Sequence, residues 1–432
     1  MDDRKELTRF AVDFVMSQGA SVAGIATADT LAGGPPSTDL QYVLADARSA
    51  VTFAVPLDVE KIERYLSKQD HAGHQEDNIK TNLLATGIAV GLATYLDQHG
   101  YPSFAVAANA VYRKDTPGGM ADFLPDISHR YLAVRSGVGW FGLSGNVITK
   151  THGAAVILGS VVTTADLEPT EPLPPEEKYC DECRLCMASC LSGLMHKKQR
   201  TTVTMGGVEF SYSKRRTYHR CDLVCGGFTG LAKNGKWSTW SPGRFPIPRK
   251  EEEFRPALVK AVMSSWGRPE IEGGFHHPAM PGHRKLNFTC GDCQLVCHPD
   301  RDERKRRYKL LVKSGVVVQH PDASLEALSP EMAEEHLAEM SPERRACYED
   351  VRTLPGVVGW HHHSLGLGHP HPQGRARGAA APRGQGTPAG AEETSEEVVA
   401  VGRMGDGDGL SHLPSPLSAA KWANTPTTPS VG

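Results

Sequence analysis

The chain carries ten cysteines, and their spacing is the part of it that most directly implies chemistry. Cys180-x2-Cys183-x2-Cys186-x3-Cys190 places four thiols within eleven residues. Three closely spaced cysteines wrap one face of a cubic [4Fe–4S] cluster, while a fourth points away toward a second cluster. Cys290-x2-Cys293-x3-Cys297 supplies the complement. The exchange pattern assigns Cys180, Cys183, Cys186 and the distant Cys297 to one cluster. Cys190, Cys290, Cys293 and one further cysteine, Cys221 or Cys225, then hold the other. Zinc is the competing metal, but its sites are built from two-cysteine hooks, and four thiols in so short a run are too dense for one. Cys347 sits in an Arg-flanked stretch and reads as a bystander.

Two clusters in one chain form a conducting path, and such a path needs a redox centre at one end. Residues 1–179 hold no cysteine and are the place to look. They contain neither a GxGxxG after a strand nor a Walker loop. The surrounding elements read as α/β. Leu7, Phe10, Ala11, Phe14 and Val15 mark one face of an opening helix. Ser49–Val55 is a short buried strand. Ile79, Leu83, Leu84, Ile88, Leu92 and Leu96 mark a long helix that stops at Gly100. Ser103–Ala107 is a strand, Ile127–Ser136 a helix closed by Gly137, and Ala154–Thr163 a buried strand. Asp166–Glu177, with four prolines, is a natural linker. Residues 180–300 are loop-rich, with a helix near 253–265, and residues 301–352 read as helical and charged.

The expected division is a cofactor domain over 1–165 and a double-cluster domain over 166–300, with an insertion at 227–288. A helical extension follows over 301–355. Residues 356–432 have little apolar material to offset the entropy of ordering and read as a disordered tail. His361-His-His363 and His369-Pro-His371 lie in it. Length alone, 432 residues, is ample for a sizeable core. The charge balance, 47 Lys+Arg against 50 Asp+Glu, removes any whole-protein electrostatic case for binding nucleic acid. Lys214-Arg-Arg216 and Arg304-Lys-Arg-Arg307 remain as local phosphate-contact candidates for tRNA. No eighteen apolar residues run uninterrupted, so no membrane span is expected. Met1-Asp2-Asp3-Arg4-Lys5 has no apolar run behind it, so a cytoplasmic location is expected, where thiols stay reduced.

The segment Ser128-His-Arg-Tyr-Leu-Ala-Val-Arg-Ser-Gly-Val-Gly-Trp140-Phe-Gly142, the strand after it, the acidic proline linker, the four-cysteine motif and Cys290-Gly-Asp-Cys293-Gln-Leu-Val-Cys297 occur in a familiar order. Together they resemble the epoxyqueuosine reductase and reductive dehalogenase family, over about residues 40–300. The resemblance implies a nitroreductase-like domain that holds cobalamin, followed by a ferredoxin-like domain with two [4Fe–4S] clusters. It implies reductive removal of oxygen or halide, with electrons from a small donor protein such as ferredoxin or flavodoxin. The substrate would be a small molecule or a modified nucleoside. By family pattern Cys221 matches the isolated cluster ligand, because Arg220-Cys221 follows a basic stretch, and Cys225 is the other choice. A catalytic Asp is expected at Asp122 or Asp126. The stretch between Cys221 and Cys290 is longer than in those reductases and holds three of the six tryptophans.

Asp122, Asp126, His129 and Tyr131 are the proton-donor candidates, and Arg130 could hold an anion. Gly137, Gly139, Gly142 and Gly145 would let backbone approach a flat macrocycle, with Trp140 among them and Ser144 and Asn146 bonding its amides. Trp237 and Trp240 could cap a substrate pocket or form a core. The alternative function is an electron-transfer iron–sulfur protein whose first domain binds flavin or no cofactor.

Overall fold

The computed structural model describes residues 3–107, 112–118, 124–270 and 290–350. The elements before the first cysteine are α1 (Asp3–Ser17), β1 (Val22–Thr27), α2 (Ala28–Leu31), β2 (Ser49–Pro56), α3 (Val59–Leu66), α4 (Ala72–Gln98), β3 (Ser103–Val106), α5 (His129–Arg135), β4 (Trp140–Phe141), β5 (Val147–Ile148) and β6 (Val156–Thr163). Four of the strands form an antiparallel sheet in the order β1-β2-β6-β3.

Successive residues of a strand point to opposite faces, and β2 divides its side chains accordingly. Val51, Phe53 and Val55 join Ile62, Leu92 and Leu96 in a core with α1, α3 and α4. Ala50 and Ala54 face Leu132, Val134 and Phe141 on the other side. Small residues on that side let α5 lie close to the sheet. Every β2 side chain up to Val55 is buried, which is why the stretch reads as an unbroken apolar run.

Helix α4 is long and apolar enough, by length and composition alone, to cross a membrane. Its Ala85, Ile88, Ala89, Leu92, Ala93 and Leu96 are buried in the sheet's core. It begins seven residues before Ile79, the first residue of the apolar pattern, because its first turns are polar. Gly100, at φ +85°, allows the turn that ends it.

The second half contains α6 (Leu185–Ser189), β7 (Met195–Met205), β8 (Val208–Arg215), α7 (His219–Cys225), α8 (Phe254–Ser265), α9 (Asp292–Leu295), α10 (Arg301–Val312), β9 (Val316–Gln319), β10 (Leu325–Leu328), α11 (Pro330–Ala338) and α12 (Pro342–Arg345). Two hairpins here differ from the sequence reading. β7 pairs with β8 inside the stretch expected to be loop-rich. Its Met205, Phe210 and Tyr212 pack into the sheet's second core, so the hairpin returns to the first half of the chain. β9 pairs with β10 inside the stretch expected to be wholly helical, and its Val317 is buried.

The proline linker is also tied down. Thr170 N–H donates to the Ile25 carbonyl at 2.9 Å, and the Ile25 N–H donates to Thr170 Oγ1 at 3.1 Å. Trp237 and Trp240 are both about 4% exposed and belong to the sheet's first core. Trp240 Nε1 donates to the Tyr65 carbonyl at 2.9 Å. The pocket-capping role considered for these two tryptophans is therefore corrected: they are core residues. The expected tail over 356–432, with its histidines, lies outside the described residues.

Candidate metal centre

The loop that starts the cysteine motif is forced into a tight coil. Glu182 and Arg184 both adopt positive φ, 56° and 62°, a region that non-glycine residues enter only under constraint. Asp181 accepts the Cys183 N–H at 3.2 Å and pairs with Arg304 of α10 at 2.9 Å. Cys186 follows on α6, and Cys297 arrives just after α9. Cys180, Cys183, Cys186 and Cys297 line one small cavity, together with Leu143, Ser144 and Arg304. Among the described residues no three His, Cys, Asp or Glu side chains converge tightly enough for a single ion. The four thiols stand around a space instead.

This cavity passes a physical test for an anionic cluster. Arg304 is 3% exposed, and its Nε has no hydrogen-bond partner. A buried donor left unpaired is costly, and here it belongs to a residue that lines the cysteine cavity. Sulfide or thiolate acceptors would satisfy it. Leu143 N–H already donates to Cys180 Sγ at 3.3 Å. Burial, and then the neighbouring thiols, push Cys186 up and Cys297 up to about 12. Metal loading must therefore displace protons from this set.

The remaining cysteines gather next to it. Cys190 and Cys293 share an apolar cluster with Cys186. Cys190 Sγ accepts the Leu194 N–H at 3.4 Å. Cys221 and Cys225 are one turn apart on α7, so both face the same way, and their sulfurs lie 3.3 Å apart. Cys221 is held up mainly by donating to Cys225. Cys225 is drawn down by that bond and also by the Cys290 backbone N–H. The Cys293 thiol is raised to about 12 by burial and by Cys190, with Arg215 opposing. Cys347 lies apart, against Glu343 and Gly267.

One junction joins the first half of the chain to the second cysteine motif. Gly153 sits at φ +62°, and a Cβ there would strike the Cys297 carbonyl and come within 2.6 Å of His298 Cα. Ala154 N–H donates to the same Cys297 carbonyl at 3.2 Å. Gly153→Ala is expected to destabilise the fold by about 1–3 kcal/mol and to reduce iron at the Cys297 site before the other. Denaturant unfolding with iron analysis reads both, and wild-type values would contradict this.

The turn expected to receive a macrocycle is packed against protein. A Cβ on Gly137 would lie 2.5 Å from the Glu171 carbonyl, on Gly139 2.6 Å from the Ile148 carbonyl, on Gly142 2.8 Å from the Ile148 side chain and on Gly145 2.8 Å from Tyr212. Trp140 lies against Phe210, with Lys178 over its ring. Ser144 lines the cysteine cavity. Asn146 Nδ2 reaches 4.0 Å from Cys293 Sγ. The close approaches that require glycine are thus made by the chain itself. The space a side chain would take at each of these glycines is filled by the chain itself.

Of the proton-donor candidates, Asp122 lies outside the described residues. Asp126 is 5% exposed, accepts the Ile127 N–H at 2.7 Å, and is pushed up by burial. A carboxyl so raised keeps a proton longer than an exposed one. His129 Nδ1 lies 2.9 Å from Ser160 Oγ, and burial lowers its pKa to about 4, so it is neutral near pH 7. Tyr131 exchanges a 2.8 Å hydrogen bond with Tyr212. Arg130 Nη1 donates to the Gly145 carbonyl at 2.7 Å. Asp126, His129 and Tyr131 thus bond to different partners, Ile127, Ser160 and Tyr212, and do not form one hydrogen-bonded group.

The basic clusters are largely consumed by the fold. Arg304 and Arg307 are 3% and 2% exposed, the second on Glu303 at 2.7 Å. Arg215 donates to Ser144, Asn146 and Tyr218. Arg304 and Arg307 are thereby withdrawn from the surface, while Lys214, Lys305 and Arg306 stay exposed. In sequence Arg304 and Arg215 are members of charge runs, and nothing in their spacing marks them as cysteine neighbours.

No protein-family model matches the chain. Curated relatives do. The chain is 45% identical over 64 residues to an epoxyqueuosine reductase of Atelocyanobacterium thalassa (isolate ALOHA), covering 15% of this chain and 20% of that protein. An epoxyqueuosine reductase of Gloeobacter violaceus is 36% identical over 64 residues, 15% of this chain and 19% of that protein. The match spans about a fifth of the length of these relatives. Among solved structures, a reductive dehalogenase described for B12-dependent dehalogenation aligns at 13% identity over 77% of this chain and 40% of its own, with a TM-score of 0.43. An epoxyqueuosine reductase with a modified tRNA-Tyr stem loop aligns at 17% identity over 78% and 73%, with a TM-score of 0.35. Scores this low carry no argument about fold or activity. The resemblance to epoxyqueuosine reductases read from the motifs is therefore present at the level of curated relatives.

Proposed function

We propose that this chain is an iron–sulfur reductase of the epoxyqueuosine reductase and reductive dehalogenase group, acting in the cytoplasm. Cys180, Cys183, Cys186 and Cys297 hold one [4Fe–4S] cluster. Cys190, Cys290, Cys293 and one of Cys221 and Cys225 hold the other. The observation that carries the reading is the ring of four thiols around a cavity with the unpaired Arg304 Nε beside it. The ferredoxin-like description applies to this part of the chain, and the nitroreductase-like one to the sheet before it.

The clusters would pass electrons, supplied by a small ferredoxin or flavodoxin, toward an acceptor held in the first half. Cobalamin is the cofactor implied by the motif resemblance, and when bound it would supply low-valent cobalt chemistry for removing oxygen or halide. No step is assigned to residues of the 137–145 turn. Asp126, with its raised pKa, is the described carboxyl suited to supply a proton. The name of the curated relatives, epoxyqueuosine reductase, favours a modified nucleoside as the substrate class.

Anaerobic reconstitution with iron, sulfide and either cobalamin or flavin tests the cofactor. Corrin absorption with about one cobalt per chain supports the reductase reading. A flavin spectrum supports the electron-transfer alternative, and clusters alone would remove the cobalamin assignment. On the second cluster, the family pattern predicts that Cys221→Ala removes about four irons per chain, whereas Cys225→Ala removes fewer. Iron analysis giving the reverse order would move the ligand to Cys225.

A further inference from the structure

A buried or half-buried arginine stands at each group of thiols, and the two differ in how their charge is met. Arg304, at the first group, is ion-paired with Asp181 at 2.9 Å. Arg215, at the second, is half-buried and meets only neutral acceptors. Its Nε donates to the Ser144 carbonyl at 3.1 Å, its Nη1 to Tyr218 Oη at 3.2 Å and its Nη2 to Asn146 Oδ1 at 3.0 Å. Asn146 then turns its Nδ2 toward Cys293 Sγ at 4.0 Å. Arg130, on the Gly145 carbonyl, adds a second guanidinium close enough to repel that of Arg215. Two carboxylates lie on this side: Asp292, buried and opposed by Lys68, and Asp222, which faces His219 at 3.4 Å and acts on Cys225.

We propose that Arg215 and Asn146, neither of them a ligand, set the cluster of the second thiol group at the higher reduction potential of the two. Reduction adds one negative charge to a cluster. A fixed positive charge and a hydrogen bond to a ligand sulfur both favour the reduced form. At the first group Asp181, which Arg304 shares with the exposed Arg301, opposes the charge of Arg304. Electrons therefore fall from the first cluster to the second. Arg215 is a positioning residue: it orients Asn146 and acts on the cluster through space.

The inference rests on the two-cluster reading, and one redox titration of the full chain, followed by paramagnetic resonance, separates the two. Arg215→Met is expected to lower the higher midpoint by at least a tenfold change in the oxidised-to-reduced ratio, about 59 mV for one electron. The lower midpoint should move much less. Asn146→Ala should shift the same midpoint in the same direction, by less. Asp181→Asn should raise the lower midpoint, because Arg304 loses its carboxylate. Iron and sulfide are measured for every variant, and Asn146→Ala decides the matter if Arg215→Met does not retain iron. Unchanged midpoints at full iron content, or a shift confined to the lower-potential cluster, would overturn the inference while leaving the clusters in place. Wild-type protein without clusters would overturn the two-cluster reading itself.

Discussion

Cys183→Ala is expected to halve the iron of the protein, from about eight to about four atoms per chain, and to block electron delivery. The same species should vanish in Cys297→Ala, although the two residues are 114 positions apart in sequence. Both line the cavity with Cys180, Cys186 and Arg304, so removing either leaves a cubic cluster with three protein ligands. Cys293→Ala should remove the other species, because Cys190 is the thiol that acts most strongly on it. Paramagnetic resonance of the reduced variants distinguishes these outcomes. If Cys183→Ala and Cys297→Ala lost different signals, the pairing across the two motifs would be wrong, even with total iron as expected.

The second large effect concerns acid. His74 is 2% exposed, its Nδ1 has no hydrogen-bond partner, and its ring lies 4.4 Å from that of Tyr65. Burial lowers its pKa to about 4, and it lowers that of His129 to about 4 as well. Both are bases whose folded pKa lies below the unfolded value near 6.5. The unfolded chain thus binds more protons between these limits. Stability is full above about pH 6.5 and is lost as pH falls toward 4. The maximum loss is about 3 kcal/mol per group. Denaturant midpoints measured across pH 7 to 4 should fall steeply, and His74→Gln should flatten the curve. A flat wild-type profile would show that neither ring is neutral by burial.

Much of the framework is legible in the sequence because it rests on local patterns. β2 and β6 are buried on both faces and read as apolar runs. The helical stripe of α4 reads correctly from Ile79 onward, but its first turns are polar and escape it. β1, with its Ala and Gly, is too weakly apolar to stand out, although it completes the sheet. The β7–β8 hairpin is hidden by its solvent-facing residues, Lys197, Lys198 and Arg200. What holds it is distant: Phe210 against Trp140. The chemistry divides in the same way. Cysteine spacing marks the thiols, because a cluster loop needs short intervals. The arginines and Asn146 that stand near the thiols come from β8, α10 and a buried turn, so only the folded chain brings them together. The 142–146 turn is the clearest example. Its glycines suggest an open surface, yet each would-be Cβ meets a neighbour, and its Leu143 and Asn146 face the cysteine sulfurs.

The central claim is that these thiols hold two cubic clusters. Protein purified and reconstituted without oxygen should be brown and contain about eight iron and eight sulfide per chain. It should also give two paramagnetic signals on reduction. Colourless protein without iron, or protein whose only bound metal is zinc, would contradict it.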